Sequence, residues 1–235
     1  LGASSLGANT TGANNVAVGN DALGANTTGA ANVAVGGNAL GTITTTSSNT
    51  AVGFNSLAVS TAANNTAVGR SSLLANTSGT ANVAVGADAL AANTTASSNT
   101  AVGFLAGAAV TTGTNNTLIG ANSGDALTDG IKNVAVGQNA LGADVQGDNS
   151  VAIGINALQA QTGTNGNVYN TAVGANAGFA VTTGTTNTFI GGLAGDAVTT
   201  GSQNTFVGQN SGGATTTAAQ NTAMGEGALA TNTTG

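Results

Sequence analysis

Cysteine, proline, histidine and tryptophan are all absent from this chain, and charged residues make up only 4 % of it. Without Cys there is no disulfide framework and no thiolate metal site, and the redox compartment cannot be read from thiol usage. With His and Cys both missing, the many Ser and Thr have no base to activate them, so no nucleophile–base pair can be assembled and an enzyme is not expected. Only Arg70 and Lys132 are basic, against eight acidic residues, and the net charge of −6 leaves no positive face for a nucleic-acid backbone. No apolar run reaches the length of a membrane span, and no charged, then apolar, export signal opens the chain. The sequence begins at Leu1 and stops at Thr234-Gly235 in mid-pattern, which reads as a piece of a longer protein.

Low charge and low complexity do not here mean disorder, because 40 % of the residues are hydrophobic and they recur at fixed places. The phrase Asn-(Thr/Val)-Ala-Val-Gly runs from end to end of the 235 residues. Its glycines are Gly19, Gly36, Gly53, Gly69, Gly86, Gly103, Gly120, Gly137, Gly154, Gly174, Gly191, Gly208 and Gly225, with Gly2 opening the series. They stand 17 residues apart, except for 16 between Gly53 and Gly69 and 20 between Gly154 and Gly174. The longer interval predicts a small loop insertion near 164–167. A 17-residue unit is too short for a helix plus a strand, and its apolar period is two. The expected fold is all-β: a parallel β-solenoid, or β-roll, forming a single repeat domain of about fourteen coils over residues 1–235.

Each coil reads as strand, turn, strand, turn. The residue before the motif glycine is aliphatic or Met, the residue two before that is Val or Thr, and period two puts both on one face. That face is expected to point into the coil. The residue between them is Ala in ten of thirteen copies, with Leu118, Phe189 and Phe206 as the exceptions. On this reading the rank Ala17, Ala51, Ala84, Ala101, Leu118, Ala135, Ala172, Phe189, Phe206 and Ala223 points outward and forms a face on which further copies pack. Four residues after the glycine stands Leu (Leu23, Leu90) or Gly (Gly178, Gly195), and the three bulky exceptions all fall in coils with Gly there. In most Gly coils an apolar residue returns three positions later, as Val110, Leu127, Val181 and Val198, so volume is kept while its place moves. The second corner carries Gly12, Gly29, Gly113, Gly184 or Gly201, taken as glycines needed for positive φ.

The Asn that opens the phrase recurs as Asn15, Asn32, Asn49, Asn65, Asn82, Asn99, Asn116, Asn133, Asn170, Asn187, Asn204 and Asn221, with Ser150 in the one coil that lacks it. Stacked once per coil, these amides predict a structural ladder rather than a row of ligand groups. The carboxylate pairs Asp125 with Asp129 and Asp144 with Asp148 read as solvated turns. A weak Ca²⁺ site at Asp144, Asp148 and Asn149 is the less favoured alternative, and no cofactor or metal is expected. Triplets such as Asn9-Thr10-Thr11 and Asn26-Thr27-Thr28 match the glycosylation pattern by composition alone.

Asn149-Ser150-Val151-Ala152-Ile153-Gly154 and its Asn-Thr-Ala-Val-Gly cousins resemble the head repeats of trimeric autotransporter adhesins, the YadA-like head, and related repeats of phage tail-fibre-like proteins. The resemblance covers nearly the whole chain. It implies a left-handed parallel β-roll, three chains around one axis, and attachment at a bacterial cell surface or on a virion. The expected function is a structural and adhesive segment of an extracellular trimeric fibre, with a homotrimer as partner, an unnamed host, matrix or neighbouring-cell ligand, and no contact with nucleic acid or membrane. A phage tail fibre or secreted filament shaft is the alternative within this architecture. An ice-binding solenoid, using ordered Thr, is the alternative from another class.

Overall fold

A computed structural model describes residues 2–163 and 166–233. Within them the fold is an all-β parallel solenoid of about 17 residues per turn, with no helix. It divides into two compact units, Leu1–Asn115 and Asn116–Gly235.

The first unit holds β1 (Val16–Val18), β2 (Val33–Val35), β3 (Thr50–Val52), β4 (Thr66–Val68), β5 (Val83–Val85) and β6 (Thr100–Val102). Each pairs in parallel with the next, with like residues in register: Ala34 lies against Ala51, and Ala84 against Ala101. The second unit stacks β7 (Thr117–Ile119), β8 (Val134–Val136), β10 (Val151–Ile153), β12 (Thr171–Val173), β13 (Thr188–Ile190), β14 (Thr205–Val207) and β15 (Thr222–Met224) in the same way. A short parallel pair, β9 (Gly147–Asp148) with β11 (Gly166–Asn167), forms at the longer interval. Of the expected insertion, Thr164 and Asn165 lie outside the described residues, and Gly166–Asn167 are strand.

The strands are only three residues long, yet hydrogen bonding to the neighbouring coil continues around the corners. Leu90 N–H donates to Ala106 O at 3.0 Å and Asp88 N–H to Arg70 O at 2.9 Å, while Ala89 N–H closes a turn on Gly86 O at 3.4 Å. To make these bonds the corner places several residues per coil in the left-handed region. In the coil of Gly86 they are Ala81 (φ 57), Asp88 (φ 57) and Leu90 (φ 49). For a residue with a Cβ this costs about 1 to 2 kcal/mol. Fully burying a Leu side chain gains about 1.5 to 3 kcal/mol, so Leu90, wholly buried, offsets its own strain.

The motif glycine is extended at positive φ, as at Gly191 (φ +133). A Cβ there would lie 2.6 Å from both the carbonyl carbon and the oxygen of Gly208 in the next coil. Glycine is therefore required twice over, by backbone conformation and by the closeness of the stacked coil. At the second corner the reason differs from the one expected. Gly29 and Gly201 are not at positive φ; a Cβ on either would run into the backbone carbonyl of the coil above, Thr46 and Ala218 respectively. The left-handed residue of that corner is the one two positions on, Ala31 (φ 56) or Gln203 (φ 61).

The interior is the reverse of the expected one. Ala51, Ala84, Ala101, Leu118, Ala135, Ala172, Phe189 and Phe206 have no exposed surface, Ala223 has 3 %, and Ala17 in the first coil is half-buried. Val16 and Val18 are 48 % and 43 % exposed, and Ile119, Ile153 and Ile190 about 40 %. The Ala rank therefore points into the coil and cannot be a face for packing further chains, while the aliphatic residues flanking it point out. The reason is the width of the coil. Across the interior from the Ala stands, in most coils, the corner Leu, and the two share one narrow cross-section, so a large residue at both positions would not fit. Gly195 makes this explicit, since a Cβ on it would meet the Phe189 ring at 2.5 Å.

Candidate functional site

Two files of polar side chains run inside the coils. In the first, each phrase-opening Asn accepts the backbone N–H of its counterpart in the next coil: Asn32 N–H to Asn15 Oδ1 at 2.9 Å, Asn65 to Asn49 and Asn82 to Asn65 at 3.0 Å. Its Nδ2 donates to the second-corner carbonyl of that next coil, Asn65 to Gly79 O at 2.9 Å and Asn187 to Gly201 O at 2.9 Å. Asn32, Asn49, Asn65, Asn82, Asn99, Asn116, Asn133, Asn170, Asn187 and Asn204 are buried, while Asn15 and Asn221 at the two ends are more open. Their bonding capacity goes to the backbone, and this fixes both corners of the adjoining coil. Direct amide-to-amide bonds are a minor addition, as from Asn204 Nδ2 to Asn187 Oδ1 at 3.2 Å.

The second file stands seven residues after the motif glycine. Asn76 and Asn93 are buried there, and Asn93 Nδ2 donates to Asn76 Oδ1 at 2.8 Å and to Ala96 O at 3.1 Å. Asn26 bonds in the same way to Asn9 Oδ1 and Gly29 O, so the Asn26-Thr27-Thr28 triplet presents no free amide for glycosylation.

Asp144 occupies this slot too, and is wholly buried rather than in a solvated turn. Gly147 N–H donates to its Oδ1 at 2.9 Å and Gln161 Nε2 to its Oδ2 at 2.6 Å. Burial pushes its carboxyl above the ordinary carboxylate range, opposed by these bonds. Gln161 also donates to Ser150 Oγ at 3.0 Å and accepts from Asn170 Nδ2 at 3.0 Å, bridging the one break in the first ladder, where Ser150 is too short to reach. Asp148 Oδ1 accepts the Ile131 N–H at 2.7 Å, and Asn149 Nδ2 donates to Asn167 Oδ1 at 2.5 Å. Asp144, Asp148 and Asn149 are thus engaged with separate partners, and no cluster of three or more His, Cys, Asp or Glu occurs among the described residues.

What remains for function is the outside of the strands. In each unit the residues flanking the Ala rank form two files on a parallel sheet. One is aliphatic, as Val18 or Ile119, Ile153, Ile190 and Met224; the other mixes Val with Thr50, Thr66 and Thr100, or with Thr117, Thr171, Thr188, Thr205 and Thr222. Met224 is 72 % exposed. Sequence reasoning placed these side chains inside because bulky apolar residues usually are. The signal that could have corrected it was the joint change of two slots. Phe at the Ala position occurs only with Gly at the corner Leu position, a compensation that makes sense only if both occupy the same interior.

No family model, no curated protein and no solved structure matches this chain.

Proposed function

We propose that the chain is a structural and adhesive segment of an extracellular fibre, on a bacterial surface or a virion, with no catalytic role. The observation that carries this reading is the outward aliphatic file, Val18 in one unit and Ile119, Ile153, Ile190 and Met224 in the other, on coils whose interior Asn ladder is bonded to backbone. A repeated apolar file on an exposed sheet face is a surface for side-by-side association of copies. The resemblance to adhesin head repeats makes three copies the favoured number. The packing face is then the Val, Ile and Thr files, not the alanines. Light scattering tests this: the reading predicts a mass of three chains of 21.8 kDa, reduced to one by Ile153→Arg with Ile190→Arg. A folded monomer in the unaltered protein would overturn it.

A second reading has its own observation. Thr171, Thr188, Thr205 and Thr222 follow one another in register on the outward face, repeating at the strand spacing of about 4.8 Å. An ordered, outward Thr file repeating at a fixed spacing suits ice. A monomer showing thermal hysteresis, abolished by Thr188→Lys, would favour this reading over the fibre.

A further inference from the structure

A third file of side chains lies outside the coil, two residues after the motif glycine. Asn122, Asn139, Asn156 and Asn176 stand there at φ between 54 and 55. They bond in sequence: Asn122 Nδ2 donates to Asn139 Oδ1 at 3.5 Å, Asn139 to Asn156 at 3.1 Å and Asn156 to Asn176 at 3.0 Å. In the next coil Leu193 takes the position and the file stops. Asn176 Oδ1 is therefore used, while its Nδ2, pointing on along the file, has no protein acceptor among the described residues.

The break opens a hollow of about 340 Å³ lined by Asn156, Asn176, Phe179, Leu193 and Asp196. That lies at the lower end of small-molecule sites, which run from about 300 to 1,000 Å³. Phe179 and Leu193 are 41 % and 38 % exposed, so the apolar walls are open to a ligand. Asp196 has no side-chain donor: its Oδ1 is shielded from solvent, and its anion is favoured only by the backbone N–H groups of Asp196 and Ala197. Partial burial pushes the Asp196 carboxyl above its usual range, opposed by those two backbone bonds.

We propose that this hollow binds one ring of a neutral saccharide, with Asn176 Nδ2 donating to a ring hydroxyl, Asp196 accepting from another, and the C–H face of the sugar lying on Phe179. The chemistry separates this from other ligands. A vicinal pair of hydroxyls both gives and takes hydrogen bonds, and the sugar ring has an apolar face, so all three features are used. An ammonium group would use Asp196 and the ring but would face the Asn176 N–H₂ with a second donor. An anion would meet the carboxylate. The inference deepens the adhesive reading by giving the segment a ligand, and rests on it.

The test is a titration of the full chain with methyl glycosides of glucose, galactose, mannose and N-acetylglucosamine, with choline and lysine amide as cationic comparators, following the Asn176 side-chain amide by NMR. The expected result is a saturable shift with at least one glycoside. Phe179→Ala and Asp196→Asn should each weaken binding by about tenfold, and Asn38→Ala in the first unit should change nothing. Because both altered side chains are partly exposed, melting curves of the variants establish that they fold. No shift with any glycoside at tens of millimolar, variants that bind like the parent, or tighter binding of choline or lysine amide would overturn the proposal. Light scattering on the same samples keeps the two readings apart: a monomer that binds sugar retains the site and sinks the fibre, and a trimer that binds none does the opposite.

Discussion

The coil of Leu90 and the coil of Gly195 fill the same narrow cross-section in opposite ways. In the first, strand residue Ala84 is small, corner residue Leu90 is large, and the third interior position is the bonded amide of Asn93. In the second, Phe189 is large, Gly195 yields the corner, and Val198 closes the third position with an apolar side chain. The Phe189 ring reaches beyond its own coil. A Cβ on Gly178, one coil earlier, would meet it at 2.8 Å, and its centroid lies 5.7 Å from that of Phe206 in the next. What the two coils hold in common is the motif glycine, the Asn ladder and the left-handed corner. The backbone path is constant and the interior is negotiable, provided that a large strand residue such as Phe189 meets Gly at the corner.

The largest effect should come from the shared part. Gly191→Ala forces a Cβ into the backbone of Gly208 and a side-chain-bearing residue into a conformation reserved for glycine. A loss of about 2 to 6 kcal/mol is expected from the two together, read as a drop in the denaturant midpoint. A variant within about 1 kcal/mol of the parent, the size of an ordinary substitution, would show that the coils are less tightly stacked than described.

The negotiable part predicts a rescue. Phe189→Ala should cost about 3 to 5 kcal/mol by emptying the cross-section. Adding Gly195→Leu should return part of that loss, because Gly195 has φ 59 and the corner leucines of other coils hold the same region, as Leu158 does at φ 49. Gly195→Leu alone should be severe, with the Phe189 ring still in place. Additive effects in this double-mutant cycle would mean that the two positions do not share a space.

The ladder should be sensitive in either kind of coil. Asn65→Ala leaves the buried Asn82 N–H without its acceptor, while the Gly79 carbonyl keeps the bond from Asn76 Nδ2. A buried orphan costs about 1 to 3 kcal/mol, so a loss of that size is expected in thermal or denaturant unfolding. The same change at Asn221, more open and near the end of its file, should cost less.

The period of 17, the parallel strands and the recurring Asn were legible in the sequence because stacking repeats the same contact in every coil. Orientation was not. Val-Ala-Val has period two whichever side faces in, and the usual preference for bulky residues inside misleads when the coil is only one Leu wide. Asp144 was misplaced for a related reason: its corner reads as polar and solvated, whereas Asn76 and Asn93 in the same slot show that the slot is interior. The hollow at Phe179 was invisible, since it arises from the end of a side-chain file at Leu193, and that file exists only once the left-handed corner is known.

The smallest effect concerns Asn93 and Asp144, which occupy one slot with different chemistry. An amide there is neutral at every pH, whereas the Asp144 carboxyl is held above its ordinary value of 3.8, first by burial, with the Gln161, Gly147, Gly163 and Gln146 bonds opposing. A folded-state pKa above the unfolded one means that folding favours the protonated form. The contribution is fully present below the ordinary value and is lost as pH rises through the raised one. Acidification from neutrality should therefore stabilise the second unit, and Asp125 and Asp196, raised in the same direction but more exposed, add less. Denaturant midpoints measured from pH 7 down to the carboxylate range should rise, and Asp144→Asn should flatten the curve whatever it does to the absolute stability. A midpoint that falls on acidification would mean that the bonds donated by Gln161 and Gly147 outweigh the cost of burying the charge, and that the carboxylate is held in the coil as an anion.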